Sequence, residues 1–582
     1  MYESKPWLAF YGDNPATLQY VEGSMVDPVF DRAQKVPRTL AYEFFGKKVT
    51  FSELTQQILA FERAFQEQGV RKGEVVTLAM PNCPSAIVSF YALNKIGAVS
   101  SLIHPLSTSF EIERFLNTSG SRFALTLDAF FPKFEPILRN TRVEKVFLSR
   151  IGKEMDPFTS LLFFLRKGRK LKKVPPSSTV CFVEQNLEVT QNVPVDTSQL
   201  LEGREARSDD LAVILYSGGT TGTPKGICLS NRNFNVLAQQ LATQAVSLDW
   251  GRMLAILPIF HGFGLGVCVH SILFWGGTTL LVPTFTARSV AQLIRRKKPA
   301  FIAGVPTLFE ALSKDPRLQR ADLSGLRAVF SGGDRLPQSV KEKFDALIRK
   351  GGGSVGIREG YGLTEVVTAA TVMPAEHQRP GSVGIPLPDV LVKVVHPEGG
   401  TEEVPPGEDG EICISGPTVM QGYYNLPEET AKTLKVHPDG HTWLHTGDIG
   451  NMDSDGFLFF KQRKKRMIKV SGVGVFPSQV EEVLNAHPDV ASSCVIGVPD
   501  PYQIQKVKAF IILKHPVHKG MEEEKTKELI DYCKTRLIKW SCPREIEFRK
   551  EFPKTLVGKV AFRELEREEM EKLEKEKRDV AR

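Results

Sequence analysis

Apolar runs and amphipathic stretches alternate along the first two thirds of the chain. The apolar runs at residues 75–80 and 211–215 are short and rich in β-branched residues, as expected of buried strands. Between such runs lie amphipathic stretches with helix-end signals, for example residues 53–68, which we predict to form a helix capped by Ser52. Strands that alternate with helices predict a mainly parallel sheet covered on both faces. We therefore expect an α/β fold.

The pattern changes near residue 380 to short, β-rich units that continue to about residue 460. These units predict a β-rich subdomain, in which we place Asp448 in a turn. A dense basic run, residues 461–466, follows the subdomain, and we interpret it as a solvated linker.

Beyond the basic run, strand-like and helix-like stretches alternate again and predict a small α/β domain. Its last helix begins near Arg563 and is polar nearly all round, so we expect a solvated tail rather than a coiled coil. The expected organisation is a large N-terminal domain of α/β sheets over residues 1–464, with the β-rich subdomain at about 380–460, and a small C-terminal α/β domain over residues 465–582.

The composition is that of an ordinary globular protein, with 42% hydrophobic and 24% charged residues among 582. The formal net charge of +8 is mild for this length and does not indicate nucleic-acid binding. Eight cysteines without a C-x-x-C pair disfavour a disulfide framework and a zinc site, which fits a reducing compartment. The N-terminal segment lacks the features of a signal peptide, and the most apolar segment, residues 263–275, is too short to cross a membrane. We expect a cytoplasmic protein whose membrane contact, if any, is peripheral.

Residues 158–173 combine an apolar half with a strongly basic half. Two interpretations stay open. The segment is either a short core helix followed by a solvated basic loop, or an interfacial patch that touches anionic lipid.

The loop YSGGTTGTPKG, residues 216–226, follows the apolar run at 211–215 and carries glycines, hydroxyl residues and one lysine. Glycines let the backbone approach a ligand closely, and backbone N–H groups, hydroxyls and a cation together suit phosphate. Lys225 is followed by Gly226 rather than Ser or Thr, so the loop is not a Walker A motif. We interpret it as a phosphate-binding loop, with a flexible connection between two elements as the alternative.

His261 follows a strand-like apolar run and has glycines and aromatic residues around it. Open α/β sheets bind ligands where their strands end, which makes His261 a candidate site residue, with a structural histidine as the alternative. The segment EGYGLTE, residues 359–365, offers an aromatic ring, a hydroxyl and a carboxylate in a glycine-containing stretch.

Six segments in this order resemble the adenylate-forming superfamily of acyl-CoA synthetases, luciferases and peptide-synthetase adenylation domains, and the resemblance covers nearly the whole chain. They are YSGGTTGTPKG (216–226), FHGFG (260–264), EGYGLTE (359–365), WLHTGDIG (443–450), R-x-K (463–465) and PKTLVGK (553–559). The opening of the chain, KPWL followed by FFGKKVTFSEL, is most similar to medium- or long-chain fatty-acyl-CoA ligases.

The resemblance implies a two-step reaction and a C-terminal domain that moves between the steps. A carboxylate attacks the α-phosphate of ATP, which releases pyrophosphate and leaves an acyl-AMP; the thiol of coenzyme A then displaces AMP. Because the first step brings anions together, positioning and charge neutralisation must carry much of the catalysis. The implied cofactors are ATP, Mg²⁺ and coenzyme A, and the implied partner is a small carboxylic acid, with no nucleic acid.

The resemblance also implies roles for single residues. The β- and γ-phosphates are expected to contact Ser217, Gly218, Thr220, Thr221, Gly222 and Lys225. The other expected nucleotide contacts are Thr364 on phosphate oxygens, Glu365 on Mg²⁺, Tyr361 on adenine, Asp334 in the adenine-side loop, and Asp448 and Arg463 on the ribose hydroxyls.

Lys559 is the residue that the resemblance makes central to adenylation, because this lysine can reach both the carboxylate and the α-phosphate. His261 is expected to position the carboxylate or to gate the tunnel for the acid. Lys465 is the implied hinge of the C-terminal domain. After the domain swings, Lys469 and Gly472 are expected to serve thioester formation.

Two places depart from the pattern of the superfamily. Gln462 and Arg466 stand where acidic or small residues are common, which makes the charge at the hinge unusual. Asp334 and Arg335 replace a commoner Ala-Pro pair in the adenine-side loop.

The acid is expected to be a medium- or long-chain fatty acid. The segments 259–267 and 302–305 are apolar with glycines, which we interpret as apolar walls around a widened pocket. An aryl acid and a carrier protein in place of coenzyme A are the alternatives. A non-catalytic acyl-nucleotide-binding protein is disfavoured because Lys559, Glu365 and Asp448 are all present.

Overall fold

The computed structural model describes residues 1–166, 168–171, 174–183, 206–216, 225–244, 251–397, 399–466, 468–470, 473–500, 504–516, 520–555 and 560–580. The helices in this part of the chain are α1 (Val26–Lys35), α2 (Phe51–Glu67), α3 (Pro84–Ile96), α4 (Ser109–Ser119), α5 (Phe131–Phe134), α6 (Pro157–Arg166), α7 (Asn231–Ala242), α8 (Ser271–Trp275), α9 (Ala287–Lys297), α10 (Pro306–Ser313), α11 (Gln338–Lys350), α12 (Pro427–Thr433), α13 (Pro477–Asn485), α14 (Glu522–Lys534) and α15 (Phe562–Val580). A π-helix, Phe263–His270, leads directly into α8.

The strands in the same part are β1 (Leu40–Phe44), β2 (Lys47–Thr50), β3 (Val75–Ala79), β4 (Val99–Leu102), β5 (Phe123–Leu127), β6 (Lys145–Ser149), β7 (Val180–Phe182), β8 (Leu211–Tyr216), β9 (Gly226–Ser230), β10 (Arg252–Ala255), β11 (Thr278–Leu281), β12 (Phe301–Gly304), β13 (Ala328–Ser331), β14 (Ile357–Tyr361), β15 (Thr371–Val372), β16 (Ile385–Pro386), β17 (Leu391–Val395), β18 (Gly410–Ser415), β19 (Gly422–Tyr423), β20 (Leu434–Val436), β21 (Thr442–Met452), β22 (Leu458–Arg463), β23 (Ile468–Val470), β24 (Val473–Val475), β25 (Val490–Asp500), β26 (Ile504–Leu513) and β27 (Glu545–Phe548).

Two large sheets form the longer compact unit of the chain, Tyr2–Val392 with Ile414–Leu444. Their described strands run in the orders β19-β9-β8-β4-β3-β5-β6-β7 and β16-β15-β14-β13-β12-β10-β11-β1-β2. The inner strands pair in parallel, for example β3 with β4 and β5, and β12 with β10 and β13. Parallel strands joined by helices confirm the predicted α/β fold.

Parallel pairing also determines where the candidate residues emerge. The neighbouring strands β10, β12, β13 and β14 are all parallel, so the chain leaves each of them at the same edge of the sheet. Helices α9, α10 and α11 bury a continuous apolar cluster around Phe309 and Phe344 beside these strands. The loops that begin near residues 256, 332 and 362 therefore start from a well-packed base.

The predicted start of helix α2 needs a correction. Ser52 lies inside the helix, and Thr50 is the capping residue: its hydroxyl accepts a hydrogen bond from the Glu53 backbone while the Glu53 carboxylate accepts one from the Thr50 backbone. This reciprocal pair satisfies two N–H groups that the first turn leaves open. Helix α3 ends at Gly97, which adopts a φ of 78°.

Helix α6 contains no buried residue, so the interpretation of residues 158–166 as a short core helix is wrong. Its phenylalanine and leucine side chains are exposed instead, except that of Phe163, which is half-buried. Within the described part of the chain, no helix combines the length and the apolar character needed to cross a bilayer.

The second compact unit consists of Lys393–Cys413 and His445–Arg582, together with Met1. Its C-terminal sheet has the order β24-β23-β26-β25, with β27 paired to β26, and helices α13 and α14 pack against an apolar cluster on it. This is the small α/β unit that the sequence predicts. The boundary at residues 464 and 465 stays a prediction.

Two expectations in this unit are wrong. Asp448 does not lie in a turn but inside the long strand β21, where it is 3% exposed and pairs in register with Arg463 of β22. The basic run 461–466 is not a solvated linker, because its first half belongs to β22 and Gln462 is 3% exposed. Arg466 pairs with Glu481. Cross-strand pairing in the tertiary structure thus overrides the local charge pattern.

The C-terminal helix α15 is not a solvated tail. Leu565 is fully buried in a cluster with Phe510 and Phe552, and Phe562 and Leu573 pack against its edge. A narrow apolar stripe is enough for a mostly charged helix to pack on a sheet, because its polar side chains still reach water.

Substituting Leu565 by alanine should destabilise the packing of α15 by about 2–5 kcal/mol, since it removes a fully buried side chain. Hydrogen exchange of α15 and β25 in the full-length chain measures the effect. Met570 on the same helix is 44% exposed, so Met570→Ala is the matched control and should leave exchange nearly unchanged. Equal exchange in both variants would show that α15 is not held by this cluster.

Candidate functional site

The predicted phosphate-binding loop connects strands β8 and β9, which pair in antiparallel fashion as far as Tyr216 and Gly226. The hydroxyl of Tyr216 lies 2.9 Å from that of Ser101, and its ring packs 4.6 Å from the Phe115 ring. Both ends of the loop are therefore attached to a sheet. The expected phosphate contacts Ser217, Gly218, Thr220, Thr221 and Gly222 lie outside the described residues.

Lys225 is described, and a carboxylate holds it. Its Nζ lies 2.5 Å from Oε2 of Glu429 on α12 and 4.8 Å from the centre of the Tyr423 ring. Glu429 also accepts a hydrogen bond from Lys432 at 2.7 Å. Hydrogen bonds from Lys225 and Lys432 lower the pKa of Glu429 to about 2, so its carboxylate is charged across the physiological range.

Glu365 is held by the same tyrosine. The Tyr423 hydroxyl donates to Oε1 of Glu365 at 3.0 Å, and the Met420 backbone N–H donates to the Glu365 carbonyl at 2.7 Å. Burial and the nearby Glu365 charge raise the pKa of Tyr423, which keeps its hydroxyl protonated as a donor. The structure thus brings two predicted site residues to one aromatic side chain, with Lys225 at its ring and Glu365 at its hydroxyl.

Close backbone packing positions the segment that carries Thr364 and Glu365. A Cβ at Gly262 would collide with the carbonyl oxygen of Val367, and one at Gly264 would collide with the carbonyl of Pro258. Glycine is required at both places because any side chain would push these segments apart. The expectation that the glycines of residues 259–267 widen a pocket is therefore wrong at these positions, where they allow close packing.

His261 lies at the end of this packed turn and is exposed. Its backbone N–H donates to the Pro258 carbonyl at 3.1 Å, and the π-helix begins two residues later. Single π-helical turns are common at functional sites because they reposition side chains locally. Its expected role toward the acid stays a prediction.

His104 is a neighbouring residue that sequence reasoning missed. It follows strand β4, and its ring centre lies 4.6 Å from that of Phe260. Its Nδ1 accepts a hydrogen bond from the Leu106 backbone at 2.9 Å, and burial, with the charge of Lys133 nearby, lowers its pKa. The ring is therefore neutral near pH 7 and lies next to the His261 turn.

Tyr361 and Asp334 lie on the adjacent strand ends. Tyr361 is the last residue of β14 and is 8% exposed, so its ring lies largely inside the protein. Asp334 is exposed in the loop after β13, and its Oδ1 accepts a hydrogen bond from the Arg335 backbone at 2.9 Å. The contact of these two residues with adenine stays a prediction.

Glu359, two residues before Tyr361, has an unusual acidity. Burial raises its pKa to about 7, although the charges of Lys341 and Arg335 act in the opposite direction. A carboxyl group with such a pKa changes between its protonated and charged forms near neutral pH.

The second compact unit carries the predicted ribose-binding pair. Nε of Arg463 lies 3.4 Å from Oδ1 of Asp448, which matches their register on β21 and β22. Asp448 is almost fully buried whereas the Arg463 side chain is 63% exposed. The structure therefore brings these two residues together as a buried acceptor beside an accessible donor.

A second carboxylate, Glu411, lies close to the strand of Asp448. It is within 3.4 Å of Nδ1 of His445 and 3.6 Å of Nζ of Lys464, and it accepts a hydrogen bond from the Gly447 backbone at 3.1 Å. Burial alone would raise the pKa of Glu411, but the bond with His445 and the Lys464 charge hold it below its ordinary value. This network stabilises the backbone next to Asp448.

The side chains of three other predicted site residues lie outside the described part of the structure. Lys559 and Gly472 lie outside the described residues. Lys469 is described by its backbone alone, in strand β23 opposite Gly474.

Three residues that contact the predicted site were not identified from the sequence, namely Tyr423, Glu429 and His104. The consecutive tyrosines at residues 423 and 424 were a usable signal, because aromatic hydroxyls in a glycine-containing turn often bind polar groups. His104 follows an apolar, strand-like run. The same position after such a run made His261 a candidate. Glu429 gave no signal, since an acidic residue in the first turn of a helix is ordinary.

Comparison with known proteins gives consistent matches along the chain. The AMP-binding enzyme family matches residues 29–424, and the AMP-binding enzyme C-terminal domain matches residues 479–559. A long-chain-fatty-acid–CoA ligase of Bacillus subtilis (strain 168) is 35% identical over 98% of this chain and 99% of its own length. One from Escherichia coli O157:H7 is 33% identical over 96% and 98%. The crystal structure of an anthranilate CoA ligase with anthranoyl-AMP has a TM-score of 0.79 at 26% identity and covers 96% of this chain and 99% of its own.

The ion pair between Lys225 and Glu429 should compete with phosphate for the lysine. Glu429→Gln is expected to lower the KM for ATP by up to about fivefold, a small effect because both side chains are partly exposed. The KM for the acid should not change. Glu428→Gln removes the same charge one residue earlier on α12 and serves as the control; an equal effect of both variants would assign the change to net charge alone.

Glu359 should make stability depend on pH. Its folded-state pKa of about 7 lies above the ordinary value of 4.5. Its contribution to the free energy of unfolding is therefore fully present below about pH 4.5 and is lost as the pH rises through 7. Glu359→Gln mimics the protonated form and should remove this part of the dependence. Thermal unfolding at pH 5 and pH 8 measures it: the Tm of the native chain should fall more than that of the variant, and parallel profiles would contradict the shift.

Proposed function

The chain belongs to the family of AMP-binding enzymes and is an AMP-forming acyl-CoA ligase, and we propose that the acid it activates is a medium- or long-chain fatty acid. Relatives with 35% and 33% identity over nearly their full length, named long-chain-fatty-acid–CoA ligases, support this choice. The anthranilate CoA ligase supports an aryl acid as the alternative, but more weakly because its identity is 26%. One observation supports the site itself: Tyr423 contacts Lys225 with its ring and donates its hydroxyl to Glu365.

Charge neutralisation is the main task of the first step, since the carboxylate of the acid and the phosphates of ATP repel each other. Lys225 would exchange Glu429 for the β- or γ-phosphate, and the residues of the loop 217–224 would add N–H and hydroxyl donors. Thr364 would donate its hydroxyl to phosphate oxygens. Lys559 would neutralise the charge that develops between the carboxylate and the α-phosphate.

Glu365 fits a magnesium ion, because its carboxylate offers hard oxygen ligands and the residue is half-buried with its side chain held by Tyr423. When bound, Mg²⁺ would neutralise the phosphate oxygens. The Tyr423 hydroxyl would hold the Glu365 carboxylate in place for that ion. This tyrosine would therefore act as a positioning residue for both Lys225 and Glu365.

We infer the contacts to the nucleoside from the resemblance, residue by residue. Asp448 would accept hydrogen bonds from the ribose hydroxyls while Arg463 donates to them. Tyr361 and Asp334 would lie on the adenine side. His261 would position the carboxylate of the acid or gate its tunnel, with the neutral ring of His104 beside the same turn.

The second step would use the C-terminal domain, for which we keep the bounds 465–582 and the hinge at about residue 465. Lys469 and Gly472 would serve the attack of the coenzyme A thiol on the acyl-AMP. We also infer a cytoplasmic location with peripheral contact to a membrane through residues 158–173.

A screen of pyrophosphate release across short- to long-chain fatty acids, benzoate and phenylacetate tests the choice of acid. We expect kcat/KM to rise by up to about fourfold per added CH₂ until the pocket is full, because each buried CH₂ contributes about 0.8 kcal/mol. Sustained turnover should require coenzyme A. Faster reaction with an aryl acid, or labelled acid that appears on a carrier protein but never on coenzyme A, would overturn the proposal.

Replacing Lys559 by alanine should reduce pyrophosphate release by about 10²–10³-fold, by analogy with the loss of a donor that stabilises developing charge. The Kd for ATP should remain unchanged, because Lys559 acts at the α-phosphate during reaction. Lys554→Ala, at an exposed position of the same PKTLVGK segment, is the control and should keep the native rate. A native rate in Lys559→Ala would refute the assigned role.

A further inference from the structure

Helix α6 carries its apolar side chains on the outside. Phe158, Leu161, Leu162 and Leu165 follow the spacing of one helical face and are 71%, 55%, 37% and 46% exposed, and Phe164 beside them is 54% exposed. Scattered exposed apolar residues are ordinary, but five on one short helix form a contiguous patch. Such a patch is a candidate contact surface.

The opposite side of α6 faces the protein with two small polar residues and one phenylalanine. Ser160 and Phe163 lie within 4 Å of the position that a side chain at Gly152 would take, and Thr159 and Ser160 are half-buried. A helix that packs into a core buries leucine and exposes serine and threonine. Helix α6 does the reverse, so its orientation is explained by what lies outside the chain.

Hydrogen bonds hold α6 in this orientation at its first turn. Oδ1 of Asp156 accepts hydrogen bonds from the backbone N–H groups of Phe158 and Thr159, each at 3.1 Å. The backbone N–H of Asp156 donates to the Phe45 carbonyl at 3.5 Å, which connects the helix to the tip of the β1–β2 hairpin. The patch is therefore attached to a sheet, and its exposure does not result from a frayed end.

The hairpin tip adds a second element to the same surface. Phe45 is 47% exposed and adopts a φ of 42°, a left-handed conformation that is unfavourable for an aromatic residue. Gly46 packs against the Asp156 carboxylate, where a Cβ would approach Oδ2 to 2.6 Å. Phe45 is thereby held beside the start of α6. We call Phe45 and the exposed face of α6 the docking face.

Positive charge accompanies the docking face. Residues 157–173 include six lysines and arginines and no aspartate or glutamate. Arg166 is exposed, and the guanidinium of Arg169 lies 5.9 Å from the Phe164 ring. Lys48 is exposed on the hairpin, three residues after Phe45. Phenylalanine and leucine beside a cluster of basic residues match an anionic lipid surface, which offers both an apolar layer and negative headgroups.

We propose that the docking face binds the surface of an anionic phospholipid bilayer, with Phe45 and the side chains of α6 inserted among the headgroups and the basic residues bound to phosphate. Helix α6 has ten residues, which is about half of what a bilayer span requires, so it lies along the surface. This surface deepens the proposed function and rests on it for its purpose, because a long-chain fatty acid partitions into lipid. Docking would let the enzyme take its acid from the membrane.

Flotation of the full-length chain with vesicles tests the binding. Vesicles of phosphatidylcholine with added phosphatidylglycerol should bind the chain, phosphatidylcholine alone should bind it much more weakly, and high salt should release it. The double variant Leu161→Ser and Leu165→Ser should lose about tenfold or more in partitioning, since it removes apolar groups from the membrane-facing side. The control Val436→Ser with Ile538→Ser changes two residues that are 71% and 57% exposed elsewhere and should bind as the native chain does.

The charged part of the docking face is tested in the same assay. Arg166→Gln with Arg169→Gln should weaken binding to anionic vesicles by roughly fivefold for each charge removed. Arg295→Gln with Arg296→Gln removes two exposed arginines from α9 and should have no comparable effect. Equal binding of the native chain to neutral and anionic vesicles, or equal losses in the two arginine pairs, would overturn the proposal. A change in oligomeric state with unchanged vesicle binding would assign the face to a second copy of the chain instead.

An activity assay separates docking from catalysis. The leucine variant should keep the native rate with fatty acid free in solution and lose rate when the acid is supplied in anionic vesicles. A native rate under both conditions would overturn uptake from the membrane. Flotation is read without any turnover, so a failure of the proposed activity on fatty acids would leave the binding result valid.

Discussion

The carbonyl oxygen of Val367 occupies the space that a side chain at residue 262 would fill. This contact joins two strand ends of the nine-stranded sheet, the turn that carries His261 and the turn that carries Thr364 and Glu365. Val367 itself adopts a φ of 64°, which is unfavourable for a β-branched residue and is held by the surrounding packing. Because the backbones touch directly, the candidate residues depend on an interaction that leaves no room for a larger side chain.

Tyr423 connects this packed region to Lys225, at the end of the loop that the sequence predicts to bind phosphate. Its ring lies against the ammonium group of Lys225, and its hydroxyl binds Glu365. Glu429 forms the ion pair with Lys225, whereas the tyrosine hydroxyl donates to Glu365. The two charges are thereby kept for separate partners. Preorganised charges of this kind are effective in catalysis because they need little rearrangement during the reaction.

In helix α6 the local hydrophobic pattern and the tertiary packing disagree. The hydrophobic pattern of residues 158–165 is typical of a buried element, yet the helix has no buried residue. Each exposed phenylalanine or leucine side chain on this helix forgoes the free energy of burial. The hydrogen bonds at Asp156 and the strained backbone at Phe45 hold the apolar face outward, which is the arrangement expected of a surface that meets lipid.

The sequence by itself determined the class of fold and the small C-terminal α/β unit, and it predicted the candidate-site residues that belong to contiguous motifs. These features depend on local pattern: apolar periodicity selects strands and helices, and glycine with hydroxyl residues forms a loop suited to phosphate. Only the tertiary structure decided that Asp448 lies in a strand opposite Arg463, that α15 buries Leu565, and that Tyr423 holds both Lys225 and Glu365. Each of these depends on contacts between residues distant along the chain, and the local pattern of charge and polarity carries no information about such partners.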